Sequence, residues 1–208
     1  MPTFDLENAQ PGTVAGIDEA GRGPLCGPVY AACVVLDRTS QPKDLDDSKK
    51  IPEGKREKIF DEIVEFERRG ILFYGVGTAG PEEIDRINIA NATKAAMGRA
   101  YEDLLEKYGI PVATVLVDGN FVPDIATRAL AVVRGDSLSY SIACASIVAK
   151  VLRDRELRSM DRAYPCYGWA RNKGYGTAEH LRAIERWGLV ENYHRKSFCR
   201  HPGPPSTV

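Results

Sequence analysis

Three apolar runs in this chain each close on an acid with a glycine nearby, and this repeated arrangement constrains the fold most. They are Ile17-Asp18-Glu19, Val117-Asp118-Gly119 and Gly135-Asp136. A carboxylate at the end of a core strand is costly to desolvate unless something shares its charge. In open α/β sheets, strand ends are where ligands bind. Successive strand residues face opposite ways, so Asp18 and Glu19 can serve one site only if the backbone leaves strand geometry about there. The turn that follows, Gly21-Arg22-Gly23-Pro24, allows it. Its glycines also let main-chain N–H groups approach a ligand closely, with Arg22 between them as a phosphate or sugar contact.

The remaining sequence alternates between strand and helix patterns. Short runs rich in Val, Ala and Ile read as strands at 14–17, 28–36, 71–78, 114–117 and 130–133. Helical spacing reads at 52–69, with Ile59, Ile63 and Phe66 on one face, and at 87–108, with Met97, Tyr101, Leu104 and Tyr108. A further helical start lies at 81–85. Gly70 and Gly109 stand where helices stop. Residues 137–162 contain neither Gly nor Pro and carry the stripe Leu138, Ile142, Ala145, Ala149 and Leu152. The last clear helix covers 178–187. The first two strands are close enough for a hairpin, and later strands alternate with long helices. The expected class is therefore α/β, a mixed sheet with helices on both faces. One domain over 1–208 is expected, with a small helical appendage at about 160–200 and a frayed end at 201–208.

The net charge of −1 conceals an asymmetry. Residues 149–208 hold twelve Lys/Arg against six Asp/Glu and all three His, whereas residues 1–148 hold sixteen against twenty-three. A basic C-terminal third beside an acidic body suits a polyanion lying over a carboxylate site, or simply a solvated helix surface. Five widely spaced cysteines, without a CxxC pair, suggest neither a zinc site nor a disulfide frame. Reduced thiols, no secretory signal in the first twelve residues and no apolar run of membrane-spanning length lead to the expectation of a soluble cytoplasmic protein.

Asp18, Glu19, Asp118 and Asp136 gathered together would repel each other unless cations lay between them. Hard oxygen donors of this kind select Mg²⁺ or Mn²⁺, and two such ions ~3.5–4 Å apart suit phosphodiester hydrolysis. Plainer readings exist for the single pieces. Asp118-Gly119-Asn120 reads equally as a turn, and Asp136 as the N-cap of the helix that follows.

Six segments, in order, resemble the bacterial ribonuclease HII family: GIDEAGRGPLCGPV at 16–29, DDSKK at 46–50, EEIDRINIANAT at 82–93, VDGN at 117–120, RGDSLSYSIACASIVAKVLRD at 134–154 and NKGYGTAEH at 172–180. The likeness runs from about residue 13 to 198, and the Gly-Arg-Gly turn sets it apart from ribonuclease HIII. The resemblance implies a ribonuclease H-like fold with a mixed five-stranded sheet flanked by helices. It implies metal-dependent cleavage of the RNA strand of RNA–DNA hybrids, and incision 5′ to a single ribonucleotide embedded in duplex DNA. It casts Asp18, Glu19, Asp118 and Asp136 as metal-binding catalytic carboxylates. Gly21, Arg22, Gly23 and Tyr175 become readers of the ribonucleotide at the RNA–DNA junction, where the 2′-hydroxyl distinguishes RNA.

Ser48, Lys49, Asn91, Ser139 and Lys173 are candidate phosphate contacts, which would position a duplex without reading bases. His180, beside the Gly-Tyr-Gly loop, suits a polar contact better than a proton shuttle. Three residues depart from the family pattern: Arg134 replaces a usual Lys, and Cys26 and Cys144 replace small residues. Nothing suggests an obligate oligomer, so a monomer is expected. Two rivals are a hybrid-binding module that has lost the reaction, and a metal-dependent phosphatase acting on monoesters.

Overall fold

The computed structural model describes residues 2–43, 45 and 51–199. Its elements run α1 (Asp5–Asn8), β1 (Val14–Ala20), β2 (Val29–Leu36), α2 (Glu53–Arg68), β3 (Leu72–Ala79), α3 (Pro81–Tyr108), β4 (Thr114–Asp118), β5 (Arg128–Val132), α4 (Tyr140–Ala163), α5 (Trp169–Asn172) and α6 (Ala178–Trp187). Short 3₁₀ turns at Gly135–Ser137 and Pro165–Tyr167 precede α4 and α5. The strands form one mixed sheet in the order β3-β2-β1-β4-β5. β1 and β2 make the expected antiparallel hairpin, β2 pairs antiparallel with β3, and β1 and β4 run parallel, as do β4 and β5.

Each face of the sheet carries its own core. On one face, Ala32, Val34 and Leu72 meet Ile59 and Ile63 of α2 and Ile147, Val148 and Val151 of α4. On the other, Ile17, Cys33, Val115 and Val117 meet Ala96, Met97 and Leu104 of α3. Glycine in β3 lowers strand propensity, yet it sets the distance to α3. A Cβ at Gly77 would stand 2.1 Å from the Ala96 carbonyl oxygen. Helix and strand are therefore closer here than any side chain would allow. A third, smaller cluster joins Cys26, Leu157, Met160, Tyr167, Trp169 and Ala183, so the C-terminal elements pack on the end of α4 and on the turn after β1. Among the described residues, no helix is long and apolar enough to cross a membrane.

Three local expectations need correction. The helix expected over 137–162 begins at Tyr140, with Ser139 as its N-cap accepting from Ile142 N–H. Asp136 lies upstream in the 3₁₀ turn, so it does not cap that helix. Leu138, assigned to the buried stripe, is 48% exposed because the chain has not yet become helical there. The two helical stretches expected at 81–85 and 87–108 are both present, running together as α3 across a kink at Asn88, whose backbone (φ 66, ψ 164) is not helical. The Asn88 side chain accepts from Asn91 N–H and so caps the second segment.

Candidate active site

Asp18 and Asp118 are brought together by strand register. β1 and β4 are parallel neighbours with Ile17 opposite Val117, so the next residue on each strand is an aspartate at the same level. Adjacent strands lie ~4.8 Å apart. This is the carboxyl end of both strands, beside the point where the sheet changes from antiparallel to parallel pairing, a usual location for a ligand site. Asp136 joins them through the 3₁₀ turn, since the N–H of its neighbour Gly135 donates to Asp118 Oδ1 at 2.7 Å. Asp18 and Asp136 are buried and Glu19 is half-buried.

The electrostatics of Asp18 follow from this crowding. Burial raises its carboxyl pKa well above the usual carboxylate range, and the charges of Glu19 and Asp118 raise it further. A hydrogen bond from Ser146 on α4 and one from Glu19 N–H, at 2.7 Å, oppose that rise. Ser146 has no signature in sequence beyond its helical position. Among the described residues, no three His, Cys, Asp or Glu side chains are already disposed to hold a metal ion. The charges of Glu19 and Asp118 beside Asp18 are what a divalent ion would offset. The donor set, all carboxylate oxygen on a rigid sheet end, fits Mg²⁺ or Mn²⁺.

Next to the acids is a cleft of about 250 Å³ lined by Glu19, Gly21–Gly23, Lys150, Arg153 and Tyr175. Gly21 has φ +98, and a Cβ there would stand 2.0 Å from Arg153 Nε. Arg22 reaches Glu19 at 3.4 Å and lies over the Phe121 ring at 5.2 Å, with Lys94 above the same ring at 5.9 Å. Tyr175 is 49% exposed, and its ring lies beside Gly23, 3.5 Å from where a Cβ there would stand. Its backbone carbonyl is held by His180 Nδ1 at 2.9 Å. His180 is buried, and its Nε2 accepts from Trp169 Nε1 at 3.0 Å. The expected polar contact is thus observed, and it positions the tyrosine loop.

The proposed phosphate contacts divide. Asn91 is exposed, one turn before Lys94 on α3. Lys173 is tied to Glu53 at 3.0 Å. Ser139 is a correction: it is fully buried, donating to Glu7 Oε1 at 2.6 Å, and cannot meet a phosphate. Ser48 and Lys49 lie outside the described residues. Arg134 adopts a left-handed backbone (φ 58). Cys26 and Cys144 are buried packing residues, and burial pushes the Cys26 thiol up to about 12, against the thiolate form.

Solved structures share this architecture. The ribonuclease H2 from Pyrococcus horikoshii OT3 superposes with a TM-score of 0.73 at 26% identity, over 91% of this chain and 96% of that one. Bst-RNase HIII in complex with Mn²⁺ gives a TM-score of 0.74 at 20% identity, over 90% and 67%, a likeness of fold. Sheet order and the helices on its faces define a protein of ribonuclease H-like fold. The sequence model of the ribonuclease HII family matches residues 15–201. The ribonuclease HII of Rhodospirillum rubrum is 50% identical over 203 residues, 96% of this chain and 89% of that protein. The chain belongs to the ribonuclease HII family. It is a ribonuclease H-type enzyme, an endoribonuclease of RNA–DNA hybrids.

Proposed function

We propose that this enzyme also incises duplex DNA 5′ to a single embedded ribonucleotide, leaving 3′-hydroxyl and 5′-phosphate ends. One observation carries the reading: Asp18 and Asp118 stand level on neighbouring parallel strands, with Asp136 on the turn that holds Asp118. Asp18, Glu19, Asp118 and Asp136 would hold two divalent ions, Mg²⁺ or Mn²⁺. When bound, such ions activate water and stabilise the leaving oxygen of an in-line displacement.

The chain's own residues do the rest. Ser146 and the backbone fix the Asp18 carboxylate, while the Gly135 N–H fixes that of Asp118. The glycine turn offers main-chain donors to a 2′-hydroxyl without side-chain bulk. Tyr175, whose ring lies beside Gly23, would stack on the adjoining sugar. Arg22, Lys94 and Asn91 extend the duplex-facing surface towards α3. Ribonucleotide removal from DNA is the cellular task this specificity serves. In the same reading the chain works as a cytoplasmic monomer, in keeping with buried, unpaired Cys26, Cys33 and Cys144.

The test is cleavage of a duplex carrying one ribonucleotide, assayed with Mg²⁺, with Mn²⁺ and with EDTA. A single cut 5′ to the ribonucleotide, abolished by EDTA, is expected. Binding without cleavage in either metal would refute the proposal, as would release of phosphate from monoesters with the duplex left intact.

A further inference from the structure

Arg195 lies in the C-terminal segment, 174 residues from Gly21, and is fully buried. A guanidinium has five N–H donors, and here all five end on main-chain carbonyls of a single turn. Nε donates to the Gly27 oxygen at 2.9 Å, and Nη1 donates to those of Arg22 and Pro24, both at 2.9 Å. Nη2 donates to the Gly21 oxygen at 2.6 Å and to Gly27 again at 2.8 Å. The backbone around Arg195 is held as well. Its N–H donates to Leu25 O at 2.8 Å, and the next two amides, of Lys196 and Ser197, end on Asp85 at 2.7 and 2.9 Å. The Phe198 ring covers the guanidinium at 5.2 Å.

This arrangement has a directional consequence. A trans peptide sets its C=O and N–H on opposite sides. The carbonyl of Gly21 shares a peptide with the N–H of Arg22, and the carbonyl of Arg22 with the N–H of Gly23. Drawing both carbonyls inward onto Arg195 turns both N–H groups outward. Among the described residues, no hydrogen bond uses either N–H. Both belong to residues that line the cleft shared with Glu19 and Tyr175. A second buried guanidinium, Arg153, supports the far end of the turn through the carbonyls of Cys26 and Pro28, and ties it to the tyrosine loop through that of Lys173.

We propose that Arg195 is a positioning residue for ribonucleotide recognition: its buried guanidinium pre-forms the Gly21–Gly27 turn so that the Arg22 and Gly23 amides meet the substrate without reorganisation. The proposal rests on the reading that this turn senses the ribonucleotide. Lysine at 195 keeps the charge but has neither the planar fork nor enough donors for four carbonyls. It therefore leaves the turn without its fixed shape.

Two duplexes identical except for one 2′-hydroxyl test it, their binding followed by fluorescence anisotropy at low salt in EDTA so that neither is cut. The ratio of the two dissociation constants does not depend on how much of a variant is folded, so a merely structural role would leave it unmoved. For the unaltered enzyme a preference of about tenfold for the ribonucleotide duplex is expected, the worth of one or two hydrogen bonds. Arg195→Lys should reduce it to about twofold or less, with affinity for the all-DNA duplex nearly unchanged. Phe198→Leu, which uncovers the guanidinium and trims one partly buried contact with the sheet core, should reduce it less but in the same direction, and decides the matter if Arg195→Lys does not fold. A preference in the unaltered enzyme that survives in the folded variants would overturn the role of Arg195. No preference in the unaltered enzyme would instead overturn the reading of the turn.

Discussion

At the scale of single residues, Asp18 shows a site built against its own stability. Its raised carboxyl pKa means that the folded state holds this proton more tightly than the unfolded chain does. The associated stability is present below the ordinary value of 3.8 and is lost as pH rises through the raised folded value. Asp18→Asn should therefore make the metal-free protein more stable than the parent at neutral pH, measured by urea denaturation in EDTA. The same change should lower cleavage by a factor on the order of 10³ or more while duplex binding largely persists. Near-normal turnover in this variant would remove Asp18 from the role given to it. Gly21 is constrained differently, by a left-handed backbone and by Arg153 packed where a Cβ would stand. Gly21→Ala should cost roughly 2–4 kcal/mol in denaturant unfolding, because strain and overpacking act together. Unchanged stability would show that Arg153 can move aside.

Among the elements, the C-terminal appendage behaves as part of the site. His194 Nδ1 accepts from Val190 N–H at 2.8 Å, so its proton sits on Nε2, facing His180 Nε2 at 3.2 Å. His180 then donates from Nδ1 to the Tyr175 carbonyl. Burial, with His180 beside it, depresses His194 to about 4. The folded state thus resists a proton that the unfolded chain accepts near 6.5. Stability is complete above 6.5 and falls as pH drops towards about 4. Between those values the stacked cluster of Trp169, Tyr167 and Tyr193 should loosen, seen as loss of near-UV circular dichroism. His194→Gln should flatten that dependence, and an unaltered pH profile in the variant would discount the histidine pair as its cause. Sequence periodicity locates α2, α3 and α6 well because their apolar stripes are local. It misplaces the start of α4, since Gly135–Ser139 is shaped by the bond to Asp118 and by the buried Glu7.

For the whole molecule, bringing carboxylates together at one sheet end should couple metal binding to global stability. A ligand that binds only the folded state adds about 2.7 kcal/mol at a hundred times its dissociation constant. Mg²⁺ or Mn²⁺ should therefore raise the melting temperature of the parent protein, and raise it much less in Asp118→Asn. An equal rise in both would mean that the ions bind elsewhere. Among the described residues, the C-terminal segment meets the turn after β1 through Arg195 and a backbone β-bridge between Cys26 and His194. Of the cations in the basic C-terminal third, Lys150 and Arg153 line the cleft beside Glu19.

The alternation of strands and helices, the acids at strand ends and the glycine turn could all be read in the amino-acid order. Each depends on neighbours within a few residues, through side-chain period, turn conformation and the cost of burying charge. The order alone could not show that Asp18 and Asp118 stand level, because that depends on the register between two strands 100 residues apart. Nor could it show that Ser139 is sealed by Glu7, or that Arg195 gives every donor to the turn after β1. Those outcomes belong to packing, where a polar group takes whatever partner the fold brings within reach, and sequence distance carries no information about which partner that is.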